Sequence, residues 1–401
     1  MIEGARRSAR WRLAERGLPR PGDEDWRFTP LAAILGKSYT AARPAGLTEA
    51  ELEGLCLAPL DGYRLVFDNG RLAAELSRLP QGLRCGGLAD EIDEALLLGP
   101  EEAGFGALAA ARFCDGPYVV IPKGMKLDAP LHVVTVATSA EEQPREAHYR
   151  GVVVLEPGAE AVIVEEAVGR GGGEFFTNSV TRCELAEGSR LELYRLMRET
   201  EPLVSVHGLR ARLGRDAGLR SHVVGLGGAL ARCDADVVLA GEGCEAELNG
   251  LYLACRRQHL DFHTRVVHAV PRGRSRELYK GVLDGQARSV FDGLVEVLPG
   301  AQKTDAHVYN KNLLLSEGGL AHTKPEFKIH ANDVQCRHGA TVGQLSEDAL
   351  FYLRSRGVGT AQARSLLVYA FASEMLGRMA LTKVREALAR RIEAASGLEG
   401  A

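Results

Sequence analysis

Leu155-Glu156-Pro157-Gly158-Ala159 begins a series of turn motifs that decides the fold, and Leu185-Ala186-Glu187-Gly188-Ser189 repeats it one step later. The series continues at Leu213-Gly214-Arg215-Asp216-Ala217, at Gly243-Cys244 after Leu239, at Val270-Pro271-Arg272-Gly273 and at Val297-Leu298-Pro299-Gly300-Ala301. The turn positions 158, 188, 216, 243, 273 and 300 are 30, 28, 27, 30 and 27 residues apart. A period of roughly 28 residues, with each turn followed by an alternating segment such as Leu191-Glu192-Leu193, predicts a β-solenoid of stacked parallel strands.

A β-sandwich is the rival interpretation, because it also separates short strands by turns. The regular step between the turns favours the solenoid. Composition agrees with a turn-rich β protein, since 46 of the 401 residues are glycine and only 6% are aromatic. Short β-rich runs begin at about residue 113, at Val119-Val120-Ile121, and the series of turns extends to residue 300. The sequence therefore predicts a mainly β core over residues 113–342.

The residues before this core show mainly helical spacing, so residues 1–112 are predicted to be a helical N-terminal domain. Helices are expected within 1–36, 45–56 and 88–98, with Thr29-Pro30 as a helix start because threonine can cap and proline fits the first helical turn. Residues 63–69 read as a short strand that ends in the turn dipeptide Asn69-Gly70.

Residues 343–401 are predicted to be a C-terminal helical domain. Ser346 is a candidate cap for a first helix that ends near Gly357, and Thr360 is a candidate cap for the next. The apolar residues expected to line the later helices are Leu366, Leu367, Ala370 and Phe371, then Leu381, Val384, Leu388 and Ile392. The tail has two interpretations, a cap over the last coil of the solenoid or a docking surface for a partner.

Charge and segment patterns exclude several classes of function. The 49 basic and 53 acidic residues give a net charge of −4, which is not the footprint of a nucleic-acid-binding protein. No apolar stretch approaches the 18 residues of a membrane span, and the charged N-terminus has no apolar signal core, so we expect a cytoplasmic protein. Phosphate-binding loops and dinucleotide fingerprints are missing, so any ATP-driven role requires a separate ATPase.

The eight cysteines do not form a self-contained metal or disulfide framework. They lie at positions 56, 85, 114, 183, 233, 244, 255 and 336, with no C-x-x-C pair among them. A zinc ribbon or a four-cysteine cluster site is therefore not expected, and neither is a disulfide framework in a reducing compartment. Taken alone, each cysteine is interpreted as a small buried apolar residue.

Two segments carry residue types that could bind metal. Cys336 and His338 are two apart, so in a strand they share a face and offer a thiolate and an imidazole to Fe or Zn. Two ligands do not complete a site, and the alternative is a packed cysteine beside a hydrogen-bonded histidine. His259, Asp261 and His263 alternate in the same way, either as a metal-binding triad or as a polar outer face of the solenoid.

A second class of function is a solenoid enzyme that acts on polysaccharide. Asp284 and Asp292 lie near glycines and could form the pair of carboxylates that glycosidases need. Such enzymes are usually exported, and the N-terminus lacks an export signal.

Long motifs at both ends of the chain resemble the SufB/SufD family. Near the C-terminus these are Asp333-Val334-x-Cys336-x-His338-Gly339-Ala340-Thr341-Val342-Gly343 and Leu350-Phe351-Tyr352-Leu353-Arg354-Ser355-Arg356-Gly357. Near the N-terminus, Gly17-Leu18-Pro19 precedes Asp23-Glu24-Asp25-Trp26-Arg27-Phe28-Thr29-Pro30-Leu31, which is similar to the opening of the SufD branch. Gln258-His259-x-Asp261-x-x-Thr264 also matches, so the resemblance covers nearly the whole chain.

This resemblance implies a right-handed parallel β-helix between helical N-terminal and C-terminal domains. It also implies a non-enzymatic scaffold for de novo iron–sulfur cluster assembly that pairs with a SufB-type subunit through the β-helix and binds a SufC-type ATPase through the C-terminal helices. The resemblance also implies that His338 lies at that subunit interface as a metal ligand, with Cys336 as a second candidate ligand. Iron or a cluster would bind transiently in the complex, and the isolated chain, as a homodimer or otherwise, would hold no stable cofactor.

One departure separates the two branches of the family. SufB-type chains carry a cysteine upstream of the C-terminal signature, whereas Tyr309-Asn310-Lys311-Asn312-Leu313-Leu314-Leu315 has none, and no cysteine lies between 256 and 335. This chain also reads His338-Gly339 where SufB tends to have His-Glu. These differences favour the SufD branch over a SufB-like paralogue.

Overall fold

The structure is a computed structural model that describes residues 2–89, 103–139 and 143–395. The helices are α1 (Ile2–Arg16), α2 (Ala32–Leu35), α3 (Glu49–Leu55), α4 (Gly104–Arg112), α5 (Glu347–Ser355), α6 (Thr360–Leu376) and α7 (Thr382–Ala395). Single 3₁₀ turns are formed by Glu24–Trp26 and Ala74–Leu76. The predicted helix at 88–98 falls, from residue 90 onward, outside the described residues.

Strands occupy most of the middle of the chain. They are β1 (Thr40–Ala41), β2 (Tyr63–Asp68), β3 (Arg71–Leu72), β4 (Arg84–Gly87), β5 (Pro117–Ile121), β6 (Leu131–Thr138), β7 (Arg145–Leu155), β8 (Glu160–Arg170), β9 (Phe175–Leu185), β10 (Arg190–Arg198), β11 (Val204–Leu213), β12 (Gly218–Gly225), β13 (Leu230–Leu239), β14 (Glu245–Ala254), β15 (His259–His268), β16 (Arg274–Leu283), β17 (Arg288–Val297), β18 (Thr304–Leu314), β19 (Leu320–Ile329) and β20 (Val334–Gln344).

The strands form two sheets, and the chain crosses from one sheet to the other at nearly every turn. Sheet A runs β19-β17-β15-β13-β11-β9-β7-β5-β4, and sheet B runs β20-β18-β16-β14-β12-β10-β8-β6-β2-β3. Neighbouring strands from β5 and β6 onward are parallel. The predicted mainly β solenoid with helices at both termini is confirmed, with about seven turns.

The aliphatic residue of each turn motif forms a continuous ladder inside the solenoid. Leu155, Leu185, Leu213 and Leu239 are in register on adjacent strands and are almost fully buried. Each such leucine contributes about 2 kcal/mol through burial of its side chain. His268 occupies the next position in the ladder, because it is the register partner of Leu239. Val270, the aliphatic residue of the predicted turn motif, does not occupy this position. The imidazole is accommodated there by a 2.9 Å hydrogen bond to the Ser275 hydroxyl.

Residues in the left-handed backbone region make the turns that set the period. Gly158, Gly188, Asp216 and Gly243 have φ of 71°, 66°, 51° and 72°. In the next two coils this role falls to Arg272 and Lys303, both with φ of 61°, and not to Gly273 and Gly300. The Gly158 and Gly188 N–H groups donate to the carbonyls of Glu187 and Arg215 in the following coil, at 2.8 and 2.9 Å. Each turn therefore stacks on the next through a backbone hydrogen bond.

The C-terminal helices pack against the outer face of sheet B. Their buried residues contact outward-facing residues of even-numbered strands from β8 to β18. The interpretation of this tail as a cap over the last coil is therefore wrong. Ser346 caps α5 as predicted, since its hydroxyl accepts from the Ala349 N–H at 3.2 Å, and Gly357 ends that helix with φ of 86°. Gly359, and not Thr360, is the N-cap of α6.

The apolar stripe predicted for α6 has the wrong phase. The buried residues are Ala363, Val368, Ala372, Met375 and Leu376, whereas Leu366 and Ala370 are exposed. Most of this helix is apolar or small around its whole circumference, so periodicity does not identify one face. In α7, by contrast, Val384, Leu388 and Ile392 are buried as predicted.

The N-terminal region covers outer surfaces of both sheets. Helix α3 begins with a capping box in which Thr48 and Glu51 satisfy each other's backbone N–H groups. The strand predicted at residues 63–69 is β2, and β4 is a further strand within residues 1–112; both extend the two sheets. Thr29 does not start a helix, because α2 begins at Ala32 and the buried Thr29 hydroxyl is directed at sheet A. None of the described helices is long and apolar enough to cross a membrane.

Candidate functional site

The C-terminal end of the solenoid is open. It is formed by β19 in sheet A and β20 in sheet B, which are the last strands of their sheets. Every residue of these two strands is half-buried or exposed, whereas the alternate residues of β18 that face the interior are buried. We call the surface formed by β19 and β20 the open end.

Cys336 and His338 lie side by side at the open end. They are in register with Ala306 and Val308, which are fully buried inside the preceding coil. Both residues therefore face the interior of the last coil, as the two-residue spacing indicates. The Cys336 side chain packs against the main core, whereas His338 is exposed to solvent.

A backbone contact orients the His338 imidazole. Its Nδ1 lies 3.0 Å from the carbonyl oxygen of Pro325, which can only accept a hydrogen bond. Nδ1 must therefore carry the proton, and in the neutral ring the lone pair is on Nε2. The Phe327 ring packs against the imidazole at a centroid distance of 5.2 Å. A histidine ligand of a metal commonly makes this kind of N–H···O=C bond through its other nitrogen.

The two candidate ligands do not form a complete site in this chain. Burial, followed by the charge of Asp305, raises the pKa of the Cys336 thiol, so a metal would have to displace its proton. In the described part of the chain, neither residue belongs to a group of three His, Cys, Asp or Glu side chains with donor atoms close together. Further ligands must come from a second molecule if this pair binds metal.

The triad His259, Asp261 and His263 is brought together, but it joins the N-terminal segment to sheet A. Asp261 is fully buried and lies 2.9 Å from His263 Nε2, while its other oxygen accepts from Thr29 at 2.6 Å and from Arg232 at 3.0 Å. Although burial opposes it, the charges of His263 and Arg232 hold the pKa of Asp261 well below its usual range.

Further contacts complete this buried network. Thr29 is 3.0 Å from His259 Nε2, and the Arg232 guanidinium lies 3.9 Å from the centre of the Trp26 ring. Thr29 and Arg232 were not identified from the sequence, because they lie in segments distant from β15 and carry no motif that links them to it.

The acidic pair considered for polysaccharide chemistry is engaged in separate local contacts. Asp284 lies in the turn after β16, where its Oδ1 accepts from the Gly285 N–H at 2.8 Å. Asp292 lies on β17 with its carboxylate 3.6 Å from Lys324 Nζ. The two carboxylates therefore contact different groups, and Asp292 shares Lys324 with Glu24 and Glu326.

The fold places the chain among parallel β-solenoid proteins with helices at both termini, and comparison with known proteins identifies the family. Residues 136–371 match the family described as "SUF system FeS cluster assembly, SufBD core domain". The chain is 30% identical to the iron-sulfur cluster assembly protein SufD of Escherichia coli over 379 residues, which cover 93% of this chain and 89% of that protein.

Two other relatives have similar coverage. A SufBD family protein of Synechocystis sp. is 33% identical, over 92% of this chain and 85% of its own. One of Mycobacterium leprae is 31% identical, over 94% and 90%. The chain belongs to the SufB/SufD family and has a role in iron–sulfur cluster assembly. The SufD-type assignment made from the terminal motifs is confirmed.

Proposed function

We propose that this chain is a non-enzymatic scaffold subunit of a cytoplasmic iron–sulfur cluster assembly complex. It pairs with a SufB-type subunit through the open end of its solenoid and binds a SufC-type ATPase through its C-terminal helices. Iron or a nascent cluster is held transiently between the two solenoids, with His338 as a ligand from this chain and Cys336 as a second candidate. The isolated chain holds no stable cluster.

The observation that carries this proposal is the position of His338 at the open end. The Pro325 carbonyl orients the imidazole so that Nε2 is free to bind metal, and the ring is exposed. A site with one or two ligands requires a partner chain to complete it. Among the described strands, β19 and β20 are the last of their sheets, so their outer edges offer backbone groups through which a second sheet can associate.

The C-terminal helices provide a separate surface for the ATPase. Phe351 and Tyr352 of α5 are 73% and 58% exposed, which is unusual for large apolar side chains. Because α6 and α7 direct most of their apolar residues at sheet B, α5 presents the larger exposed apolar side chains to a partner, although Leu366 of α6 is also exposed.

The test is the iron and sulfide content of the co-expressed complex with His338→Ala. We expect the variant to assemble normally, because an exposed imidazole contributes little to a large core, but to lose most of its cluster. His330→Ala is the matched control, since His330 is exposed just after β19. A normal iron and sulfide content of the His338→Ala complex would show that His338 is not a ligand. Cys336→Ala should match that loss if the thiol is a ligand, and should be milder if it only packs.

A further inference from the structure

A second group of metal-binding residue types lies near the opposite end of the solenoid. Cys56 follows α3, His132 is on β6 and Glu166 is on β8, and one donor atom from each lies within 4.8 Å of the others. Over residues 2–89, 103–139 and 143–395, this is the one such group of three His, Cys, Asp or Glu side chains. His132 and Glu166 are buried on the outer face of sheet B, and Cys56 is half-buried.

The Glu166 carboxylate is held so that one oxygen is directed at the group. Its Oε1 accepts from the Leu57 N–H at 2.7 Å and from the Arg198 guanidinium. Its Oε2 lies 2.9 Å from His132 Nε2. Arg198 also donates to the Leu55 carbonyl at 2.7 Å, which fixes the end of α3 over the carboxylate. Leu57 and Arg198 thus act as the supporting shell that a metal-binding carboxylate requires.

The three donors suit one divalent ion. The Leu57 N–H and the Arg198 guanidinium both donate to the Glu166 carboxylate, and such donors favour its charged form. Within the described residues, the Cys56 sulfur makes no hydrogen bond, so no polar partner competes for it. A thiolate and a carboxylate together neutralise two positive charges, and imidazole is a good third ligand for zinc and ferrous iron.

We propose that Cys56, His132 and Glu166 bind a divalent transition-metal ion of the Zn²⁺ or Fe²⁺ class, with water as the fourth ligand. Three protein ligands and one exchangeable position is a common arrangement for such ions. On binding, Cys56 Sγ forms a bond to the metal and releases its proton to solvent. Because a charged Glu166 carboxylate can only accept, His132 Nε2 carries a proton in the metal-free chain. Nε2 must give up this proton to solvent, and Nδ1 takes one from solvent, so that the neutral ring presents its Nε2 lone pair to the metal. The ion would fasten the end of α3 to β6 and β8. This inference does not depend on the proposed function, because the group is in the first coils and His338 is in the last.

The test uses Co²⁺ as a spectroscopic probe in the full chain carrying Cys336→Ala and His338→Ala, so that the open end cannot bind it. We expect one equivalent of Co²⁺ to produce a thiolate-to-cobalt charge-transfer band, and Zn²⁺ to displace it. Cys56→Ser should abolish the band, and His132→Gln should weaken Co²⁺ binding by about tenfold or more. The melting temperature of the parent should rise with Zn²⁺, and that of Cys56→Ser should not.

Cys85→Ser is the matched control, because Cys85 is also half-buried. Burial raises the pKa of the Cys85 thiol to about 12. Burial and the charge of Glu166 raise the pKa of the Cys56 thiol to about 12 as well. This variant should bind Co²⁺ like the parent. Absence of the band in the folded parent, or an undiminished band in folded Cys56→Ser, would overturn the proposal. If Cys56→Ser does not fold, an undiminished band in folded His132→Gln would do the same.

Discussion

At the scale of single residues, Asp261 shows how one buried carboxylate joins distant parts of the chain. Thr29 from the N-terminal segment and Arg232 from β13 both donate to it, at 2.6 and 3.0 Å. Removing one partner of such a buried group usually costs more free energy of unfolding than the contact itself contributes, because the other charge is left without a partner. The motif around Asp261 therefore serves to hold the N-terminal segment on sheet A.

Glu277 is a buried acid for which we predict a pH-dependent effect on stability. It lies inside the solenoid beside Thr264, and burial raises its pKa to about 7 from a usual value of 4.5. The folded chain therefore keeps this proton as the pH rises through the range in which the unfolded chain loses it. The contribution of Glu277 to the free energy of unfolding is therefore fully present below about pH 4.5. It decreases by about 3 kcal/mol as the pH rises to about 7.

Glu277→Gln removes this titration. Between pH 4.5 and pH 7 the free energy of unfolding of the parent should therefore decrease relative to that of the variant. The measurement is denaturant unfolding of both proteins at several pH values. Glu317→Gln, at an exposed position, is the control and should track the parent. A constant difference between Glu277→Gln and the parent across this range would show that Glu277 is not protonated in the fold.

Local residue patterns could be predicted from the sequence, whereas contacts between distant segments could not. Ser346 was identified as a cap because capping depends on residues three apart, and Cys336 and His338 were placed on one face because strands alternate. The partners of Asp261 and the group around Glu166 come from segments that are neighbours only after folding. The sequence also did not show that Arg272, and not Gly273, has the positive φ at its turn. A residue other than glycine can take this conformation where its hydrogen bond to the next coil outweighs the cost of positive φ.

At the scale of secondary-structure elements, the C-terminal helices differ in what they contact. Helices α6 and α7 cover the apolar outer face of sheet B. Deleting residues 343–401 to test ATPase binding would therefore expose that face and disturb the solenoid. Point substitutions on α5 avoid this difficulty, because Phe351 and Tyr352 are directed at solvent.

We predict that Phe351→Ala combined with Tyr352→Ala weakens binding of the SufC-type ATPase. Loss of two exposed aromatic anchors should cost about 2 kcal/mol or more, which is roughly a thirtyfold rise in Kd. Binding can be measured by titration calorimetry with the purified ATPase. Trp11→Ala is the control, since Trp11 on α1 is 65% exposed and belongs to the other helical region. Equal affinity of the double variant and the parent would place the ATPase elsewhere.

At the scale of the whole molecule, the exposed edges of β19 and β20 should determine which partner the chain accepts. Ile329 and Val342 are exposed apolar residues on these strands. We predict that Ile329→Lys combined with Val342→Lys prevents pairing with the SufB-type subunit, because charged lysines on edge strands oppose association between sheets. The melting temperature should change little, since both side chains are on the surface.

Light scattering after size-exclusion chromatography of the mixed subunits measures this pairing directly. Leu79→Lys is the control, because Leu79 is similarly exposed but lies between β2 and β4 near the other end. A double variant that still forms the full-mass heterodimer would exclude the open end as the interface.

The two ends of the solenoid differ in a way that limits how many chains can join. In the described part of the molecule, the first strands of the sheets, β3 and β4, are only two and four residues long and run antiparallel to their neighbours. Such short strands make poor templates for further parallel pairing, whereas the opposite end has long parallel edges. For the pairing proposed above, the chain would therefore be monovalent in the sense used for polymers. Two chains that met through their open ends would leave no second long parallel edge among the described strands, so this pairing would stop at two chains and not proceed to a fibre.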